Sequence, residues 1–507
     1  MPPPSQPSSD GFSAVYIGMQ TRATRYAMRV IIHRDFAGSQ TWFGFTMNRF
    51  HQSMGKLGLL AAGLLCLFLA GCAHAPLNQM LTKEAVPTQI GIVSRPPGPR
   101  SDDVAVVLFF SGGGTRAAAF SYGVLKELSQ TMLPSSPPRR LLDDVEAVGA
   151  VSGGSFTAAY YCLYHDRIFQ DFESRFLKRN VERALTLRML NPIAWSKLMS
   201  PYYGRSDLAA EYYDQNLFDG ARFGDLAKTG GRPYLAINAT DMATGEHFVF
   251  SQPRFGLIAS NINEFPIARA VAASSAVPLV LTPMTIKNYA GMPGAAQPRF
   301  VPRAPGDGSQ VSHREAQVLN ILNSYADSKS KPYIHLVDGG LADNLGMQSL
   351  IDDTVAAGGV SRLMQLGAMR LPKRLVIIEV NSAASRGEEW NRREAVPGPL
   401  TSILALGDRS GERADYQTIE AFRDALESWK KSEREARQTP GDSPDYYFIQ
   451  VGFNAIANAS ERSFFRNLMT TFTLPDATVD RLVAAGGMVL RDSPEFKRLL
   501  TDLKANR

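Results

Sequence analysis

Residues Val104 to Gln130 read VAVVLFF-SGGGTR-AAAFSYGVLKELSQ, and the fold turns on this stretch. Seven consecutive apolar residues suit a strand buried on both faces, the habit of central parallel strands. Small residues then turn the chain into a segment with a helical pattern. A buried strand, a glycine-rich turn and a helix form the opening unit of an α/β sheet.

A second unit of the same kind follows. Val145 to Val151 predicts a strand, Ser152-Gly153-Gly154-Ser155 a turn, and TAAYYCLY (157–164) a helix. Further strands are expected at Tyr234–Ala239, Tyr333–Val337 and Leu375–Val380. Strands alternating with helices predict a mostly parallel central sheet with helices on both faces, spanning residues 103–382. Residues 285–330 are rich in Gly, Pro and Ser and read as an insertion or long surface loop. Residues 383–400 read as another polar loop. Beyond them come a charged helix at Arg413–Arg437, one late strand at Tyr446–Val451 and a helical stretch at 475–505. Together, 383–507 form a largely helical C-terminal extension.

Composition sets the class. With 44% hydrophobic and 20% charged residues, the chain can build a large core, which excludes general disorder. A net charge of +6 over 507 residues is too weak to argue for nucleic acid, and no basic blocks alternate with aromatics. The three cysteines, Cys66, Cys72 and Cys162, form no CxxC, and the histidines form no HExxH. Neither a zinc site nor a disulfide framework is expected, and no cofactor is implied. Cys162 reads as a buried core residue.

Residues 57–70, LGLLAAGLLCLFLA, carry no charge. The run is shorter than the about 20 residues a membrane-spanning helix needs. It matches the apolar region of a secretory signal, with Arg49 and Lys56 as the basic start. Leu69-Ala70-Gly71-Cys72 resembles the lipobox of bacterial lipoproteins. That resemblance implies a signal peptide over 47–71, lipidation of Cys72, and a proline-containing tether over 72–102. Ala73, rather than Asp, implies an outer-membrane destination in the cell envelope. Residues 1–46 either precede the true start, at Met47 or Met54, or form a Ser/Arg-rich targeting extension. Neither reading gives them a role in the fold.

Three short segments carry chemistry. In Ser111-Gly112-Gly113-Gly114-Thr115-Arg116, consecutive glycines let backbone N–H groups converge on one point. The helix that follows adds partial positive charge. Gly112, Gly113 and Gly114 are therefore candidate oxyanion donors. Gly112, Gly114 and Ala117 also fit the dinucleotide fingerprint, but that motif needs an acidic residue about 20 positions on at a strand end. MLPSSPPRRL (132–141) supplies neither acid nor strand. In Ala150-Val151-Ser152-Gly153-Gly154, a serine at a sharp strand-to-helix turn projects its Oγ from the top of the sheet. Asp338-Gly339-Gly340 follows a strand, where open α/β sheets build their sites. Taken alone, Asp338 reads equally as an Asx turn or cap. No histidine is placed to act as base. His335 lies three residues before Asp338 on the same strand and should face the other way, and His247 and His313 have no recognisable context. A poorly solvated carboxylate bonded directly to the serine can take that role.

In this order, the glycine-rich loop, the serine elbow and the DGG segment resemble the patatin-like phospholipase family over roughly residues 103–382. The resemblance implies a three-layer α/β sandwich. It also implies metal-free hydrolysis of acyl esters of phospholipids or neutral lipids by a Ser–Asp dyad. On that basis Ser152 is the nucleophile and Asp338 the base. Gly112, Gly113 and Gly114 form the oxyanion loop, Arg116 takes its basic position, and Gly153 is a supporting donor. Asn238-Ala239-Thr240-Asp241, with Thr244-Gly245, and Ala273-Ser274-Ser275-Ala276-Val277-Pro278 look like structural support. Ala117 and Ala150 stand where glycine is usual. Those two departures are the support for a rival reading, a catalytically silent membrane-anchored lipid-binding or envelope lipoprotein. A thioesterase or small-ester hydrolase would share the same site. The expected partners are membrane lipids, as substrate and as anchor. The sequence points to no protein partner.

Overall fold

Alternate residues of the central strands feed two different cores. On one face lie Val104, Val106, Leu108 and Phe110, together with Val376, Ile378, Val380, Tyr447, Ile449 and Val451. On the other lie Ala105, Phe109, Leu375, Ile377 and Tyr446. This is the period-2 consequence of an extended chain covered on both sides. The structure, a computed structural model, describes residues 78–82, 103–134, 138–230, 232–296, 313–357, 359–366, 372–384, 394, 398–436 and 444–505. All of them lie in one unit, 70–507. Residues 1–46, the signal-like segment 47–71 and Cys72 lie outside the described residues.

Eight strands form the sheet: β1 (Val104–Phe110), β2 (Val145–Val151), β3 (Tyr234–Asp241), β4 (His247–Phe250), β5 (Met284–Lys287), β6 (Tyr333–Val337), β7 (Arg374–Asn381) and β8 (Asp445–Gly452). Their order is β8-β7-β1-β2-β3-β6-β5, with β4 also on β3. Strands β8, β7, β1, β2 and β3 run parallel. Helices α1 (Gly114–Gln130), α2 (Gly153–Tyr164) and α3 (Ile267–Ser274) pack on the first face. Helices α4 (Gln348–Ala357) and α5 (Pro399–Ala436) pack on the second, where Ile351, Phe422, Leu426 and Trp429 are buried. The architecture is the expected three-layer α/β sandwich.

Several expectations change. Strand β6 is antiparallel to β3, not another parallel strand. β4 was not foreseen, because four buried residues, HFVF, are too short to show a period. The stretch 285–330 is not simply a loop: it holds most of edge strand β5 and a helix at His313–Tyr325. Residues 78–82, within the expected tether, are docked on the domain. Leu81 N–H donates to the Ala259 carbonyl at 2.8 Å, and Asn78 Nδ2 donates to the Lys287 carbonyl at 2.8 Å. The C-terminal extension belongs to the same layers, since β8 extends the sheet. Helix α6 (Asp476–Asp492) lies along α1, where Arg491 Nε donates to Glu127 Oε1 at 2.9 Å. Among the described residues, no helix is long and apolar enough to cross a membrane.

Candidate functional site

Ser152 occupies the turn between β2 and α2 with φ 47° and ψ −119°. Such a conformation costs a non-glycine residue about 1–3 kcal/mol, so the surroundings must enforce it. They do so by hydrogen bonds. Ser152 N–H donates to Ser274 Oγ at 2.8 Å, and Ser274 Oγ donates to the Asn238 carbonyl at 2.6 Å. The Ser152 carbonyl accepts the Ser155 N–H at 3.0 Å. Gly153 brings the elbow against the glycine-rich loop: a Cβ there would lie 2.5 Å from Gly114 N and would overlap the Gly114 carbonyl. Ala150 is fully buried in the core beneath the turn, so its methyl packs into that core.

Asp338 arrives by a different route. Only two residue pairs join β6 to β3, Thr240 with Val337 and Asp241 with Leu336. The carboxyl ends of the two antiparallel strands therefore meet head-on, which delivers Asp338 to the end of the sheet where Ser152 lies. Ser152 Oγ donates to Asp338 Oδ2 at 2.8 Å. The other carboxyl oxygen, Oδ1, accepts the Gly340 N–H at 2.8 Å, so the residue is an Asx cap as well as the serine's partner. Thr240 Oγ1 donates to the Asp338 carbonyl at 2.8 Å, and Asp338 N–H donates to the Ala276 carbonyl at 3.0 Å. Ser152 is 3% and Asp338 8% exposed. Burial raises the Asp338 carboxyl to about 6, against the opposing pull of the Gly340 N–H and the Ser152 hydroxyl.

Not all of the glycine-rich loop is available to bind an oxyanion. Gly112 N–H donates to the Asn344 carbonyl at 3.1 Å, so it is already engaged and drops out of the expected donor set. Gly113 and Gly114 have φ 137° and 62°, and among the described residues their N–H groups meet no protein acceptor. They begin α1, whose cap carries no side-chain hydrogen bond, so the unpaired donors at a helix start remain open beside the elbow.

Arg116 is neither exposed nor pointed at a substrate. It is 2% exposed. Its Nε donates to the Ser382 carbonyl at 2.8 Å, Nη1 to the Leu468 carbonyl at 2.6 Å, and Nη2 to Thr470 Oγ1 at 3.3 Å. It clamps the loop between the end of β7 and the C-terminal segment. Thr115 N–H donates to the Thr471 carbonyl at 2.8 Å, which seals the same contact. Nothing in the sequence signals Leu468–Thr471, where the contacts are backbone carbonyls and a hydroxyl. Asn344 was also missed. Besides holding Gly112 by its carbonyl, its Oδ1 would lie 2.6 Å from a Cβ on Gly112 and 3.2 Å from one on Gly340, and its Nδ2 donates to Asp415 Oδ2 at 3.1 Å.

The histidines are elsewhere. His335 is exposed, with Nδ1 2.9 Å from Thr285 Oγ1. His247 is buried and pushed down to about 3 by burial and by Arg254 and Arg314. His313 opens the helix beside β5. The Cys162 thiol is free and buried, and burial pushes its pKa up. Among the described residues, no group of three His, Cys, Asp or Glu could hold a metal ion.

A family model for patatin-like phospholipase matches residues 108–351. No curated protein matches the sequence. Among solved structures, human GIVD cytosolic phospholipase A2 aligns over 80% of this chain and 60% of its own, at 13% identity and a TM-score of 0.37. The heterodimeric ExoU–SpcU complex from the type III secretion system of Pseudomonas aeruginosa aligns over 70% of this chain and 58% of its own, at 16% identity and a TM-score of 0.21. The chain thus spans about three fifths of the length of these neighbours.

Proposed function

We infer that this patatin-like phospholipase domain, residues 108–351, hydrolyses carboxylic esters of phospholipids or related lipids through a Ser152–Asp338 dyad. The observation that carries the reading is the buried 2.8 Å hydrogen bond from Ser152 Oγ to Asp338 Oδ2, beside the open N–H groups of Gly113 and Gly114. Asp338 takes the Oγ proton as Ser152 attacks the ester carbonyl. The Gly113 and Gly114 N–H groups, with Gly153 beside them, stabilise the oxyanion. The alcohol leaves with the proton held by Asp338, and an acyl-serine remains. Water then gives a proton to Asp338 and attacks the acyl-serine, and Asp338 passes that proton to Oγ as the fatty acid leaves, restoring Ser152. Thr240, Ser274 and Asn238 hold the two reacting side chains in register. Lipidation of Cys72 would anchor the chain to the outer membrane.

Fatty-acid release from mixed phospholipid vesicles tests this reading. The full chain should release fatty acid, and Ser152→Ala and Asp338→Asn should each lower the rate by at least about a thousandfold. Equal rates for parent and Ser152→Ala would remove the nucleophile from the mechanism.

A further inference from the structure

Between α2 and β3 the chain forms a helical hairpin from Val181–Met189 and Pro192–Leu198. Its inner side has a small core of its own, Ala194 with Tyr203 and Leu208. Its outer side is unusual for a water-facing surface. Leu187, Leu190, Ile193, Trp195 and Met199 are 59%, 63%, 77%, 52% and 76% exposed. Scattered single exposed apolar residues need no explanation, but five large ones within thirteen residues do. The Trp195 Nε1–H donates to the Met189 carbonyl at 2.8 Å, so its polar atom is already satisfied inside the hairpin. The ring can therefore enter an apolar phase without stranding a donor. Residues 179–205 carry Arg179, Arg183, Arg188, Lys197 and Arg205 against the single acid Glu182. Lys197 is paired with Glu211 Oε1 at 2.9 Å, and the arginines beside the large exposed apolar side chains match an anionic lipid surface.

The start of the hairpin is tied to a segment that holds the glycine-rich loop, and the helix that follows it, Arg205–Tyr213, to a segment that holds Asp338. At the hairpin's start, Glu182 Oε1 accepts the Phe472 N–H at 3.0 Å, next to the Thr471 carbonyl that holds Thr115. In the helix that follows, the Ser206 N–H donates to Thr282 Oγ1 at 3.3 Å. Thr282 closes the segment that begins at Ala276, whose carbonyl accepts the Asp338 N–H. That segment exposes Leu279 and Val280, by 59% and 54%.

We propose that the 181–199 hairpin is a membrane-docking surface that seats the dyad on an anionic phospholipid bilayer. The proposal deepens the lipid-hydrolase reading and rests on it, but docking can be measured without turnover. The test uses the full chain carrying Cys72→Ser and Ser152→Ala, so that neither an acyl anchor nor hydrolysis contributes. It is sedimented with phosphatidylcholine vesicles, with and without phosphatidylglycerol. The parent should bind, more tightly when phosphatidylglycerol is present. Adding Ile193→Ser, Trp195→Ser and Met199→Ser should weaken binding at least about tenfold, because each side chain loses apolar area that the bilayer would cover. Leu187→Ser with Leu190→Ser, on the other helix, should act in the same direction, which separates docking from local misfolding. No binding by the parent, or undiminished binding by both variants, overturns the proposal, and a protein partner would then be the alternative occupant. In the Ser152-containing chain, the triple variant should lose vesicle hydrolysis and keep turnover of a soluble short-chain ester. Equal loss on both substrates would also overturn the proposal. Absence of ester turnover in the parent would count against the hydrolase, leaving the sedimentation result to decide the docking.

Discussion

Ser152 and Asp338 meet across 2.8 Å, yet the molecule positions them by opposite means. The serine is placed by a short local stretch of sequence, with Ser274 as a distant anchor for its N–H. A buried parallel strand, a strained turn and a helix start follow one another within a few residues, and the glycine beside Ser152 packs against backbone. The aspartate is fixed by distant partners. Its strand runs antiparallel and touches β3 at only two positions, and its main chain is held by Thr240 and Ala276. A backbone-packed elbow cannot yield without moving the oxyanion loop. The aspartate loop can yield at Gly340, whose neighbours are side-chain oxygens, but not at Gly339, which packs against the Asn238 backbone.

The largest test of that contrast compares two alanine substitutions. Gly153→Ala should lower turnover by about a hundredfold or more, because its methyl overlaps Gly114 and misplaces the Gly113 and Gly114 donors. Gly340→Ala should cost less than about tenfold. Its methyl meets side-chain oxygens, Asp338 Oδ1 at 3.1 Å and Asn344 Oδ1 at 3.2 Å, which can shift by a few tenths of an ångström. Steady-state rates of both variants on one ester decide it, and equal losses would break the contrast.

Charge gives the next test. On the proposed mechanism the base is the Asp338 carboxylate, so kcat/KM should fall about tenfold per pH unit below about 6. Stability moves the other way. The folded pKa is raised to about 6 above the unfolded value of about 3.9, so burial of this carboxyl is favourable below about pH 4 and that advantage is lost as pH rises through about 6. Asp338→Asn should therefore be roughly 2 kcal/mol more stable than the parent at pH 8, with little difference at pH 4. Denaturant unfolding at both values measures it. No gain at pH 8 would mean that the elbow hydrogen bond compensates the buried charge in full.

The smallest expected effect is at the elbow's anchor. Ser274→Ala removes the acceptor for the Ser152 N–H and the donor to the Asn238 carbonyl. It should cost about 1–3 kcal/mol of stability and several-fold in kcat, with KM little changed. A change confined to KM would show that the anchor shapes binding rather than the nucleophile.

Much of this site could be read in advance because its signals are short-range. The strands at 104–110 and 145–151 emerged with the expected bounds, since continuous apolar runs mark doubly covered strands. SGGGTR and SGGS announced turns that only glycine-rich backbone can make. Other features left no mark. The direction of β6 depends on which strand end it meets, and YIHLV reads the same in either direction. Gly112 looked as good a donor as its neighbours until Asn344, 232 positions away, was seen to take its N–H. Arg116 read only as the basic position of the loop until Leu468 and Thr470 closed over it.

By itself, the sequence determined the strands buried on both faces, the helix after each glycine-rich turn, and the residue types at the candidate site. These follow from local sterics and from apolar spacing within a few residues. Only the tertiary structure decided which glycine N–H groups stay open, how Asp338 reaches Ser152, and that the C-terminal segment seals the loop. Those outcomes depend on hydrogen bonds between residues hundreds of positions apart, and a backbone donor carries no record in its own side chain of the acceptor it will meet.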